Sequence, residues 1–127
     1  MFLLPRLGRR ATLLLCLAAI ALTGCASRTP PLYHWGNFQD EQYAYLKGKK
    51  GPEDGIQELE RIQQEASAKG KTVPPGFHAH LGMLYGLTGR TDLFERNLLA
   101  EQQQFPESST YVDFLLKKKK TTTTKKQ

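Results

Sequence analysis

The sequence predicts an all-α fold, and three observations carry that prediction. Apolar residues recur at spacings of three and four, as on one face of a helix, in Ile56, Leu59, Ile62 and Ala66. Glycine and proline clusters at Gly48–Gly51, Val73–Gly76 and Gly89 cut the chain into helix-length pieces. No stretch alternates apolar and polar residues in the manner of a half-buried strand.

The first helix is expected over Asn37–Lys47, with Phe38, Tyr45 and Leu46 apolar and Asn37 as N-cap. Pro52 opens the second, because a first helical turn tolerates proline, and Glu53 and Asp54 suit the positive end of its dipole. Gly70 ends that helix. A third runs from about Phe77 to Leu87, a fourth from Asp92 to Phe105 with Thr91 or Asp92 as cap, and a fifth from Ser108 to Leu116. Ala79, Gly82 and Gly86 form a stripe of small residues on the third helix. Glycine costs about 1 kcal/mol against alanine in a helix, so this stripe marks the close approach of another helix.

The N-terminal residues have a different physical logic. Arg6, Arg9 and Arg10 precede an apolar run from Ala11 to Leu22, 12 residues interrupted only by Thr12. That is too short to span a bilayer, which takes about 20 residues, but fits the h-region of a signal peptide. Leu22-Thr23-Gly24-Cys25 follows and resembles the lipobox of bacterial lipoproteins. The resemblance implies cleavage before Cys25, diacylglycerol on its thiol and acylation of the new amine; more than one acyl chain makes anchoring stable. With Ala26 next rather than aspartate, a Gram-negative setting implies the periplasmic face of the outer membrane. The expected organisation is a signal peptide over 1–24, a lipidated tether over 25–32, a helical domain over 33–116 and a disordered tail over 117–127.

Charge separates the ends from the body. Removing residues 1–24 from the 127 leaves 103, with 15 basic and 12 acidic side chains. Six of those 15 are lysines beyond Leu116, so residues 25–116 carry 9 basic and 12 acidic groups, a balance of −3. A nucleic-acid reader would place its basic charge on the folded body, so no nucleic-acid partner is expected. Cys16 leaves with the signal and Cys25 is lipidated. The mature chain therefore has no thiol for a disulfide, a nucleophile or a metal.

Other chemistry finds little footing. His78 and His80 point about 200° apart on a helix and cannot easily share an ion. Ser67, Ser108 and Ser109 lack a recognisable elbow or base, and no carboxylate pair announces acid–base chemistry. No enzyme, metal or cofactor is expected beyond the lipid on Cys25. Tyr33, Trp35, Phe38, Tyr43 and Tyr45 gather five aromatics into 13 residues. They either close the end of a small core or form a docking surface, since Trp and Tyr are enriched at binding hot spots; the two roles are compatible. The Lys117–Gln127 tail is either solvated or in electrostatic contact with anionic lipid or peptidoglycan.

Two resemblances add to this reading. Leu81-Gly82, Tyr85, Gly89 and Pro106 fall where a tetratricopeptide repeat places them, which implies a helical hairpin. Phe94 and Glu101 depart from it, standing where that repeat has small alanines. The segment Pro31-Leu32-Tyr33-His34-Trp35-Gly36-Asn37-Phe38, with Tyr43-Ala44-Tyr45-Leu46, resembles a family of small proteobacterial lipoproteins of unknown function bearing a Tyr-x-Trp-Gly motif. Its members are often encoded beside a lipoprotein resembling the curli secretion pore. That implies a protein-interaction module in a cell-envelope assembly, with such a pore-like lipoprotein as a partner. The other reading is a structural tether between membrane and peptidoglycan or anionic lipid.

Overall fold

The computed structural model describes Gly8 and residues 29–124, with side chains described as far as Lys118. The chain divides into two units, Met1–Pro30 and Pro31–Gln127. Only Gly8, Thr29 and Pro30 of the first unit are among the described residues. The rest of the expected signal peptide, the lipobox-like Leu22-Thr23-Gly24-Cys25, residues 25–28 of the expected tether and residues 125–127 lie outside them. Among the described residues no helix is long and apolar enough to cross a membrane.

The second unit is helical. In chain order it contains α1 (Phe38–Leu46), α2 (Pro52–Ala68), α3 (Phe77–Leu87), α4 (Thr91–Gln104), a 3₁₀ turn (Pro106–Ser108) and α5 (Ser109–Thr124). There is no strand among the described residues, only one parallel bridge between Tyr33 and Thr72. The helices start and stop where the breakers stand. At Gly48, Gly70 and Gly89 the chain turns left-handed and the next amide reaches back to the last helical turn, as in Lys71 N–H to Ala66 O at 2.9 Å.

Two expected caps are corrected. Asn37 does stand at the start of α1, but its side chain makes no capping bond. Its amide instead donates to Glu58 Oε1 at 2.8 Å and Glu41 Oε1 at 3.1 Å, partners that hold it more firmly than a neutral turn amide would. On α4 the cap position belongs to Arg90 with no side-chain cap, and Thr91 is already helical. A third difference concerns the C-terminal segment. The backbone does not leave the helix at Leu116; α5 continues through the lysines to Thr124, so residues 117–124 are helical rather than a disordered tail. Lysine is a good helix former, so Lys117–Lys120 do not stop the helix, which ends in four threonines.

The apolar face of α2 does what its spacing implies. Ile56, Leu59, Ile62 and Ala66 are all buried, packed with Phe38 from α1, Val73, and Phe77, Leu81, Leu84 and Tyr85 from α3. A second cluster joins Ala79 of α3, Leu98 of α4 and Val112 of α5, with Leu115 and Leu116 partly buried against it. α3 and α4 form an antiparallel hairpin, because Gly86 faces Phe94 and Gly82 faces Asn97 and Leu98. The small-residue stripe explains their closeness. A Cβ on Gly86 would stand 2.9 Å from Phe94 Cδ2, and one on Gly82 would stand 3.1 Å from the Phe94 carbonyl oxygen.

Candidate functional site

The segment before α1 is a strap held to α2, to Thr72 beyond it and to Phe105. His34 N–H donates to Thr72 O at 2.8 Å, and the Tyr33 ring stands edge-on to Phe105 at 5.8 Å. His34 Nε2 lies 3.3 Å from Glu65 Oε2. Gly36 then crosses Ile62 so closely that a Cβ would meet its Cγ2 at 3.1 Å, and it does so with φ +50. Both conditions select glycine. The Phe38 N–H closes the strap by donating to Trp35 O at 3.0 Å.

A polar network runs beneath it. Asn37 bridges Glu41 and Glu58 through its amide nitrogen, and its carbonyl accepts from Arg61 Nη2 at 3.1 Å. Arg61 also holds Glu58, through Nε at 3.0 Å, and Glu65. Those bonds from Arg61, followed by that from Asn37, hold the Glu58 carboxyl down at about 2. Lys50 pairs with the buried Glu41 at 2.7 Å and has its own pKa raised by that bond. Every carboxylate in this group is engaged by a cation or an amide, which is a fastening arrangement rather than a poised acid–base pair.

The five aromatics of the sequence-based site do not share one environment. Phe38 is core, 4% exposed, and packs on Phe77 at 5.1 Å. Tyr33 and Tyr45 are half-buried, and Tyr45 stands edge-on to His80 at 5.6 Å. Burial lowers the His80 pKa. Trp35 and Tyr43 are the outward pair, 40% and 57% exposed. Trp35 stacks on Phe38 with 6.5 Å between ring centroids, so its inner face is supported while the rest meets solvent. Tyr43 carries Lys47 and Lys49 over its ring at 5.5 and 6.0 Å. Leu32 is 75% exposed, and Leu46, expected among the apolar positions of the first helix, is 73% exposed.

Among the described residues no group of three His, Cys, Asp or Glu side chains could hold a metal ion. His78 Nδ1 is instead 3.4 Å from Asn97 Oδ1. Glu101, which departs from the repeat pattern, is buried and caps α3 from the far end of α4. The ion pairs within α2 were legible as three- and four-residue spacings; their link to Asn37 was not.

The model of the domain of unknown function DUF4810 matches residues 32–115. The chain belongs to the DUF4810 family. The DUF4810 span begins at Leu32, just ahead of the strap, and ends inside α5, so it takes in the strap, the polar network and both core clusters. It contains neither Cys25 nor Lys117. No curated protein and no solved structure matches this DUF4810 chain.

Proposed function

We propose that this DUF4810 chain is a lipid-anchored, non-enzymatic protein-interaction module at the periplasmic face of the outer membrane, with Trp35 as its anchor side chain. One observation supports the choice of Trp35. Its indole is 40% exposed, while the residues around it, Tyr33, His34, Gly36, Asn37 and Phe38, are fixed to α2, α3 and Phe105. A large amphipathic ring already held in place loses little freedom when a partner covers it, which is the physical profile of a binding hot spot. Tyr43 and Leu46, three residues apart on α1, are exposed as well, and Lys47 and Lys49 stand over the Tyr43 ring.

The helical hairpin of α3 and α4, partly like a tetratricopeptide unit, fits a module that presents a rigid face. The lipobox at Leu22–Cys25 supports the anchor, and the likeness to lipoproteins encoded beside a curli-pore-like lipoprotein makes such a protein the first partner to test. The lipid would confine the search for that partner to one membrane surface.

The test is a detergent pull-down of the lipidated protein from its own envelope, followed by reconstitution with the purified pore-like lipoprotein. Trp35→Ala and a chain lacking residues 117–127 run beside it, with circular dichroism on each. The expected result is a stoichiometric protein lost with Trp35→Ala and retained without the C-terminal segment. Recovery of peptidoglycan alone, dependent on residues 117–127, would replace the module with an envelope tether.

A further inference from the structure

A second exposed apolar surface lies away from the strap. On α5, Val112 is fully buried, and Leu115 and Leu116 lean on the same core cluster. Tyr111 and Phe114 point elsewhere and are 47% and 59% exposed. At 100° per residue, Tyr111, Phe114 and Lys118 fall within an arc of roughly 60°, and exposed Lys117 lies beside it. The Tyr111 hydroxyl donates to Met83 Sδ at 3.4 Å, so the patch continues onto α3 with Met83 and, one turn on, the exposed Leu87.

The charge on this helix is of one dominant sign. Residues 109–124 contain four lysines, Lys117–Lys120, and one acid, Asp113. Residues 31–108 carry 11 acidic and 8 basic side chains, so α5 is net positive while the rest of the domain is net negative. A helix that exposes aromatic rings on one side and a lysine cluster one turn further on is built for the boundary of an anionic bilayer. The rings enter the headgroup region while lysine stems keep their ammonium groups among phosphates. A second copy of this chain would offer the four lysines of α5 only one acidic residue on the same helix, Asp113. An acidic peptide would satisfy the lysines but leave the rings to specific pockets, and the rings here sit on a convex helix surface.

We infer that α5 is a lipid-contact helix, in which Tyr111 and Phe114 insert at an anionic phospholipid surface and Lys117 and Lys118 bind its headgroups. The inference takes from the preceding reading only that the domain stands at a membrane. It adds a second point of contact, which fixes how the domain lies on the bilayer, since one lipidated residue at the end of a tether does not.

The experiment uses the full chain reconstituted into vesicles of phosphatidylcholine alone or mixed with phosphatidylglycerol. Trp35 is the single tryptophan, so Phe114→Trp in a Trp35→Phe background places the only indole at the proposed contact. Expected in the mixed vesicles are a blue-shifted emission and quenching by acyl-chain bromine. Both should be absent in phosphatidylcholine alone and weakened about thirtyfold in apparent partition by Lys117→Ser with Lys118→Ser, at about 1 kcal/mol per lysine. Equal emission in the two lipids would overturn the inference. So would a shift that follows protein concentration rather than lipid, which marks a second copy, or one produced only by added peptidoglycan fragments. Because Trp35 is not needed here, failure would leave the partner-binding reading intact, and loss of partner in the pull-down would leave this one intact.

Discussion

Glu101, near the end of α4, caps the start of α3 at Gly76. Its Oε1 accepts the Gly76 N–H at 2.6 Å and its Oε2 accepts that of Ala79 at 3.1 Å. Gly76 has φ +86 and no side chain, so it cannot supply the cap oxygen a serine or aspartate would bring. A buried carboxylate from the partner helix replaces it and faces the positive end of the α3 dipole.

Glu101→Ala should therefore cost roughly 3 kcal/mol in urea unfolding, since it strands two backbone donors and opens a void. Glu101→Gln keeps one acceptor and should cost about half as much. A loss under about 0.5 kcal/mol for the alanine variant would mean water replaces the carboxylate without penalty.

Gly36→Ala tests the strap. The residue has φ +50 and a Cβ there would press on Ile62, so the substitution should destabilise by about 2 kcal/mol. Trp35 fluorescence should report it first, with the indole becoming more mobile before global unfolding. An unchanged anisotropy and midpoint would show that the strap does not position Trp35.

Gly86→Ala sets two effects against each other. Alanine is the better helix former by about 1 kcal/mol, but its Cβ would stand 2.9 Å from the Phe94 ring. The clash should win by about 1 kcal/mol. Phe94→Leu should relieve it, so the double variant should be more stable than the two single losses added together. Simple additivity in a double-mutant cycle would place the cost elsewhere.

His80 supplies a pH dependence. Burial between Phe38 and Tyr45 lowers its pKa in the folded state below the ordinary 6.5. The unfolded chain then binds the proton first. Stability is full above about 6.5 and declines as pH falls below it, until the folded state also protonates. His80→Phe should flatten the decline of the unfolding midpoint as pH falls below about 6.5. A wild-type profile already flat there would count against the assignment.

Glu58 acts lower on the scale. With its folded pKa at about 2 against 4.5 for a free carboxyl, its contribution is present above about 4.5 and is lost as pH falls through about 2. Carboxyl NMR titration should show the low value, and Arg61→Gln should raise it toward the ordinary range, because the Arg61 bond is its largest cause. No change in that variant would assign the shift to Asn37 instead.

Helix identity in this protein is a local property, and the sequence carries it. The bounds of α3 were readable residue for residue, because the period of the apolar positions and the breakers at Gly76 and Gly89 act within a turn or two. The inward face of α2 and the close approach at Gly82 and Gly86 followed from the same spacing. The tertiary structure decided what depends on partners far along the chain. Glu101 and Gly76 are 25 residues apart, and Asn37 and Glu58 are 21 apart. No period links such pairs; only the packing of one helix on another brings them together. The division of the aromatic set has the same origin. Five similar rings in 13 residues look alike in sequence, yet Phe38 is sealed by Phe77 while Trp35 keeps one face open, because burial is assigned by what packs over a side chain and not by its neighbours in the chain.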